Sequence, residues 1–139
     1  MNDDNTKVFI RIHQAIETRD QAAIEKAIDE VIAPDVIFHA PMPSGMSGVQ
    51  AMKNVWIVLL RAFPDIRVTI EDIIAEGDKV AYRSRVTGTH LGEYRGAEPT
   101  GRRVAYDEMF IVRYADGLAA EIWGVVDVYA QLRQIGLAE

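Results

Sequence analysis

The dominant period of the apolar residues changes at Pro64, and that change limits the fold more than any other feature. Before it they recur at helical spacing: Phe9, Ile12, His13 and Ile16 fall on one face, followed by Ala23, Ala27, Ile28 and Val31 on a second. A third stripe holds Met52, Val55, Trp56, Leu59, Leu60 and Phe63. Such i, i+3, i+4, i+7 patterns bury one side of a helix. After Pro64 the residues alternate, as in half-buried strands. Helices first and strands later is an α+β pattern, since a parallel α/β sheet would interleave them.

Punctuation residues set the expected boundaries. Asp20 suits the N-cap of the second helix, and Pro34 is expected to close it. Asp35–Ala40 reads as a short strand, ended by Pro41-Met42-Pro43 and a Ser-Gly loop. The third helix starts near Gly48, and Pro64 ends it by disfavouring helical geometry in the preceding residue. Gly77-Asp78 and Ala115-Asp116-Gly117 are hairpin turns. They join Ile66–Ile70 to Lys79–Val86, and Arg103–Tyr114 to Leu118–Val126. A glycine-punctuated loop occupies 91–101, and Val128–Leu137 is a short terminal helix. No linker or repeat divides residues 1–139, which are expected to form one domain.

Composition narrows the function. A net charge of −6 with scattered basic residues argues against a nucleic-acid partner. The absence of cysteine removes disulfides, thiolate metal sites and a cysteine nucleophile. No His-x-His or His-Glu-x-x-His spacing is present, so no metal or other cofactor is expected. The polar N-terminus does not read as a signal peptide, and no apolar run approaches a membrane span; the expected compartment is cytoplasmic.

The second half carries an ordered string of motifs. Phe63-Pro64-Asp65 precedes Val68-Thr69-Ile70-Glu71-Asp72 and Gly77-Asp78-Lys79-Val80. Then come Thr87-Gly88-Thr89-His90, Pro99-Thr100-Gly101-Arg102, Arg113-Tyr114-Ala115-Asp116-Gly117, Glu121-Ile122-Trp123 and Asp127. Together, over roughly Ile28 to Leu137, they resemble the SnoaL-like polyketide cyclase family, of the nuclear-transport-factor-2-like (cystatin-like) fold. The resemblance implies a cone-shaped barrel, in which a strongly curved, mostly antiparallel sheet wraps N-terminal helices around an apolar cavity. It also implies a homodimer or homotetramer and a cofactor-free intramolecular aldol reaction. Family members also include cofactor-independent hydroxylases.

By the same resemblance, Asp127 matches the acid/base aspartate and His39 a pocket histidine. Gapless counting puts Arg113 where the cyclases carry a second histidine, and arginine cannot act as a general base. On a two-residue period Asp127 shares a face with Trp123 and Val125, where apolar walls would raise its pKa. Capping the terminal helix is the alternative role for Asp127. A backbone-bonded structural histidine is the alternative for His39.

Trp123, Arg113, Trp56, Tyr106 and His13 are further candidates for contact with a small hydrophobic carbonyl compound, core packing being the competing role. His90 is expected at a rim or interface. Asp107 and Glu108 fall on opposite faces of one strand, so one must point inward or meet a partner; Arg83, Arg85 and Arg113 are the available cations. Two readings of function stand: cofactor-free acid/base catalysis, including hydrolase or hydroxylase variants, or a non-catalytic binding module on the same fold.

Overall fold

The computed structural model describes residues 2–39 and 48–139. Ala40, the Pro41-Met42-Pro43 turn and the Ser-Gly loop lie outside the described residues. The elements run α1 (Asn2–Glu17), α2 (Gln21–Val31), β1 (Ile32–His39), α3 (Gly48–Ala62), β2 (Arg67–Glu76), β3 (Lys79–Thr89), β4 (Arg103–Ala115), β5 (Leu118–Val126) and α4 (Val128–Gln134).

The strands form one five-stranded sheet in the order β1-β5-β4-β3-β2. Three pairs are antiparallel, whereas β1 runs parallel to β5, so the sheet is mixed. It curves without closing, with β1 and β2 as its edges, in place of the expected barrel. The α+β class stands.

Most expected boundaries hold, with informative differences. Asp20 caps α2, accepting a bond from the Ala22 N–H at 3.1 Å. The buried face of that helix is Ile24, Ala27, Ile28 and Val31, so Ile24 takes the place expected for half-buried Ala23. Pro34 does not end the helix: α2 stops at Val31, and Pro34 lies inside β1. There it is tolerated because β1 is an edge strand whose register shifts between Ile32 and Ile37, sparing a ladder bond that proline cannot make. Asp116 (φ 53°) and Gly117 (φ 79°) both have positive φ, the geometry of a tight hairpin turn that follows the strand twist.

Strand alternation sorts the sheet into two faces. One carries Val80, Val86, Val104, Tyr106, Val112, Tyr114 and Ile122 into the core, against Phe9, Ile12, Ile24 and Ile28 of the helices. Burying an aliphatic side chain such as Ile24 or Ile28, both fully enclosed, contributes roughly 2 kcal/mol. The helix α1 lies against β2 and β3, α3 against β1 and α2, and α4 against β4. The Gln134 side chain clips α4 to the sheet by bonding both the N–H and the C=O of Ala105, at 2.7 and 2.8 Å.

The end of α3 is finished by the 91–101 loop. The Leu91 and Gly92 N–H groups both donate to the Ala62 carbonyl, at 2.9 and 3.1 Å, satisfying an acceptor the helix leaves open. Gly92 is forced by this approach, because a Cβ there would stand 2.0 Å from the Arg61 carbonyl oxygen. Backbone cannot swing aside as a flexible side chain would. Gly92→Ala should therefore destabilise the protein by about 3 kcal/mol, read as a lower urea midpoint at unchanged slope. A loss below about 0.5 kcal/mol would show that the loop is free to withdraw.

Candidate functional site

The strand residues near the middle of the sheet build the candidate site. In register, Ser84 of β3, Glu108 of β4 and Val126 of β5 form one cross-strand row, and Tyr82, Phe110 and Gly124 form the next. All six are on the core-facing side. Gly124 makes room for its neighbour: a Cβ there would fall 2.1 Å from Phe110 Cε1. The Phe110 ring therefore lies across the glycine and stacks on Tyr82, with centroids 5.5 Å apart and planes 17° from parallel. From α1, Phe9 meets Tyr82 at 4.4 Å and His13 meets it edge-on at 5.3 Å.

Glu108 is the carboxylate placed among these rings. Ser84, fully buried, donates its hydroxyl to Glu108 Oε1 at 3.0 Å. Burial pushes the Glu108 carboxyl up to about 7, against the smaller downward pull of the Ser84 bond. Burial also raises the Tyr82 hydroxyl well above its ordinary value, and the Glu108 charge adds to the effect. Tyr82 therefore remains a proton donor at neutral pH. His13 is moved the other way: desolvation lowers its pKa, outweighing the Phe9 carbonyl and Glu17, which favour the cation. Its Nδ1 lies 3.1 Å from the Phe9 carbonyl oxygen, which only accepts, so Nδ1 carries the hydrogen.

The residues suggested by sequence divide between the faces. His13, Trp56 and Tyr106 lie inside, the last two almost fully enclosed in the core. His39, Arg113 and Trp123 meet on the opposite, outer face. There the His39 ring stacks on Trp123 at 5.3 Å, and its Nε2–H donates to Glu121 Oε2 at 2.7 Å. Arg113 donates to the other Glu121 oxygen at 3.2 and 3.3 Å. The His39 bond, then Arg113, hold the Glu121 carboxyl below its usual range against a desolvation that would raise it. Arg113 is thus already paired.

Asp127 is exposed and caps α4, accepting from the Ala130 N–H at 3.0 Å; its own N–H bonds the Asp107 carbonyl. Asp107 points outward to Arg85 at 3.0 Å and Arg83 pairs with Asp72, so Glu108 is the inward member of the Asp107-Glu108 pair. His90 is fully buried, which overturns its expected place at a rim. Its Nδ1 accepts from the Thr100 N–H at 3.2 Å and meets the Thr100 hydroxyl at 2.9 Å, knotting the loop shut.

The sequence did contain a signal for Glu108. Positions 104, 106, 110, 112 and 114 are Val, Tyr, Phe, Val and Tyr, while 103, 107 and 113 are charged. The even parity is the bulkier and more apolar one, and Glu108 is its single charged member.

The outer face has its own apolar depression, about 530 Å³, lined by Ile74, Ala81, Met109, Ile111, Trp123 and Val125 among others. It opens on the side of the sheet away from the helices. Among the described residues no group of three or more His, Asp or Glu is placed to hold a metal ion, and no helix is long and apolar enough to cross a membrane.

This curved mixed sheet with its helices on one face is the architecture of the nuclear-transport-factor-2-like proteins. A sequence profile of the SnoaL-like polyketide cyclases matches residues 9–135, and the chain belongs to that family. No curated protein matches it in sequence. Among solved structures it is similar to AclR, a candidate hydroxylase from Streptomyces galilaeus (29% identity, TM-score 0.85, covering 100% of this chain and 89% of that one). It is also similar to IdmH, a candidate polyketide cyclase from Streptomyces antibioticus (29% identity, TM-score 0.79, covering 95% and 98%). TsrD from Streptomyces laurentii shares the fold at 23% identity, with TM-score 0.84 over 99% and 98% of the two chains.

The raised Glu108 pKa has a consequence for stability. In the folded protein the proton is held more tightly than in the unfolded chain. Stability is therefore fully present below the ordinary carboxylate range and is lost as pH rises through about 7. Glu108→Gln keeps an acceptor for Ser84 and removes the charge. It should match wild type near pH 4 and exceed it at pH 8 by on the order of 2 kcal/mol, measured by denaturant unfolding. Equal stability at both pH values would place Glu108 in a solvated setting.

Proposed function

We propose that this chain is a cofactor-independent enzyme that moves protons on a small hydrophobic carbonyl compound bound against the inner face of the sheet, in the manner of a polyketide cyclase. The observation that carries the reading is Glu108, a carboxyl near neutrality set among aromatic rings. A general base works best when its pKa lies close to the operating pH, and burial supplies that here. As the carboxylate, Glu108 takes a proton from the carbon beside a carbonyl, leaving an enolate. Tyr82, held protonated on the next row, donates to the enolate oxygen. In a ring closure the enolate carbon attacks a second carbonyl of the same molecule, and the resulting alkoxide takes its proton from the Glu108 carboxylic acid. The proton lost in the first step is returned in the last, so no co-reactant is consumed.

The family match and the likeness to IdmH support cyclase-type chemistry, and the likeness to AclR keeps hydroxylation as a variant at the same residues. The second reading, a binding module without catalysis, is favoured by the exposed helix-capping position of Asp127. A substrate panel of β-dicarbonyl polyketide mimics separates these assignments. Glu108→Gln should lower kcat/KM at least a hundredfold, whereas Asp127→Asn, which retains a capping oxygen, should change it less than threefold. The wild-type rate should rise with pH through about 7 as Glu108 loses its proton. The reverse ranking of the two variants would return the acid/base role to Asp127. Saturable binding with no turnover in any variant would favour the binding module.

The outer face supports a homodimer. Val125 on β5 is 73% exposed, Met109 on the adjacent β4 59%, and Ile74 on β2, one strand further across, 67%. The face's charged pairs, Arg83–Asp72, Arg85–Asp107 and Arg113–Glu121–His39, are satisfied within the chain. A two-fold contact between copies would bring apolar centres together without opposing unpaired like charges. Sedimentation at micromolar concentration should give a dimer, and Met109→Glu with Val125→Glu should shift it to monomer. A monomeric wild type at that concentration would remove the second copy as the cover for this face.

A further inference from the structure

The 91–101 loop is closed over a histidine held as one tautomer. The His90 side chain is fully buried beside Phe63, just past the end of α3, with ring centroids 5.7 Å apart. Its Nδ1 accepts from the Thr100 N–H at 3.2 Å, so the hydrogen of the neutral ring is on Nε2. The Thr100 hydroxyl stands 2.9 Å from the same nitrogen and accepts from the Arg102 N–H at 3.2 Å. The main chain completes the knot: the His90 N–H donates to the Arg102 carbonyl and the Gly101 N–H to the His90 carbonyl, both at 2.9 Å. Nε2 is sealed from solvent without a hydrogen-bond partner among the described residues. A buried donor lacking an acceptor counts against the closed loop and leaves its closure easily tipped.

An imidazolium carries hydrogen on both nitrogens. Taking up a proton therefore turns Nδ1 from an acceptor into a second donor facing the Thr100 N–H. Among the described residues no carboxylate pairs with His90 to hold such a cation. At the end of α3, Arg61 pairs with Glu93 of the loop at 3.6 Å. Asp65, in the turn after α3, accepts the Thr89 N–H and hydroxyl, both at 2.7 Å, and meets Arg103 of β4 at 3.5 Å. Arg95, Glu98 and Arg102 are exposed, and Tyr94, packed on Phe63, gives its hydroxyl to Gln131 of α4 at 2.8 Å. We propose that His90 is an acid-released latch: the loop is shut over the neutral ring and lets go at Thr100 when the ring gains a second proton. Gln131 also bonds the Tyr106 hydroxyl, on the same strand face as Glu108. Release at Thr100 thus loosens the loop over this end of the inner face. The latch stands whether or not the protein is an enzyme.

Amide hydrogen exchange of the full chain, corrected for the intrinsic rate at each pH, tests this. Only the neutral ring fits the closed loop, and a released imidazole titrates near the ordinary value of about 6.5. Protection of the Thr100 and Gly101 amides should therefore fall about tenfold between pH 7.5 and 5.5. Protection at Val112 and Ile122, in the core ladders, should not fall, because protonating Glu108 over that range stabilises the fold. His90→Gln offers an amide oxygen to the Thr100 N–H and does not titrate, so its loop protection should change less than twofold. Wild-type loop protection constant within twofold, the tenfold fall persisting in His90→Gln, or an equal fall at Val112 and Ile122 overturns the latch. Nitrogen-15 spectra of the wild-type imidazole decide the matter if His90→Gln does not fold. At pH 7.5 they should show a bare Nδ1 and a protonated Nε2, and the loss of protection should track the doubly protonated ring. An Nδ1–H tautomer at pH 7.5, or a doubly protonated ring with Thr100 still protected, overturns the proposal.

Discussion

The unbroken ladder between β3 and β4, from Lys79 opposite Arg113 to Thr89 opposite Arg103, is the constraint on which the rest of the structure depends. With no bulge along its length, side-chain parity is preserved from the β3 hairpin turn to the 91–101 loop. A slip of one residue would turn Tyr82, Ser84 and Val86 to solvent and bring Arg83 and Arg85 into the core. The cost of burying two guanidinium groups far exceeds any gain in apolar contact there. Register is thus held by both faces at once, and the place of Glu108 beside Ser84 follows from it.

The two neighbouring ladders do carry irregularities, one opposite Ser84 at the edge of the candidate site and one beyond it. The β2–β3 pairing shifts between Ile70 and Asp72, and the β4–β5 pairing shifts between Arg113 and Tyr114. Bulges of this kind increase local twist and let a sheet bend. Between them the rows Ser84–Glu108–Val126 and Tyr82–Phe110–Gly124 remain regular. Regular pairing across β3, β4 and β5 makes a rigid support, suited to holding a carboxyl and its serine at fixed separation. Gly124 adds depth there, since any side chain at that position would lift Phe110 off the strand.

The energetics of that patch also fit a functional role. A carboxyl buried among aromatics with Ser84 as its side-chain donor lowers stability at neutral pH, and a core optimised only for folding would carry Leu or Met in its place. The outer ion pairs are different. Arg83–Asp72 and Arg85–Asp107 are largely exposed, so solvent screening leaves each with little effect on stability. Their contribution is to keep an otherwise apolar face charge-neutral.

The sequence by itself determined the α+β class, the family, the two hairpin turns, the cap at Asp20, and which strand residues travel together, while for Asp127 it left capping as the alternative to an acid/base role. These depend on local backbone chemistry and on a two-residue period, both readable along the chain. Parity correctly grouped Trp123 and Val125, and correctly split Asp107 from Glu108. In β4 the bulkier, more apolar parity already hinted at the inward face, but which residues meet the helices depends on where α1, α2 and α3 dock, and that only the tertiary structure decided. It assigned Glu108, Ser84 and Tyr82 to the interior and sent His39, Arg113 and Trp123 to the outer face. It also made Pro34 acceptable within a strand, by leaving β1 at the edge of the sheet, and closed His90 inside a loop whose path no local pattern encodes.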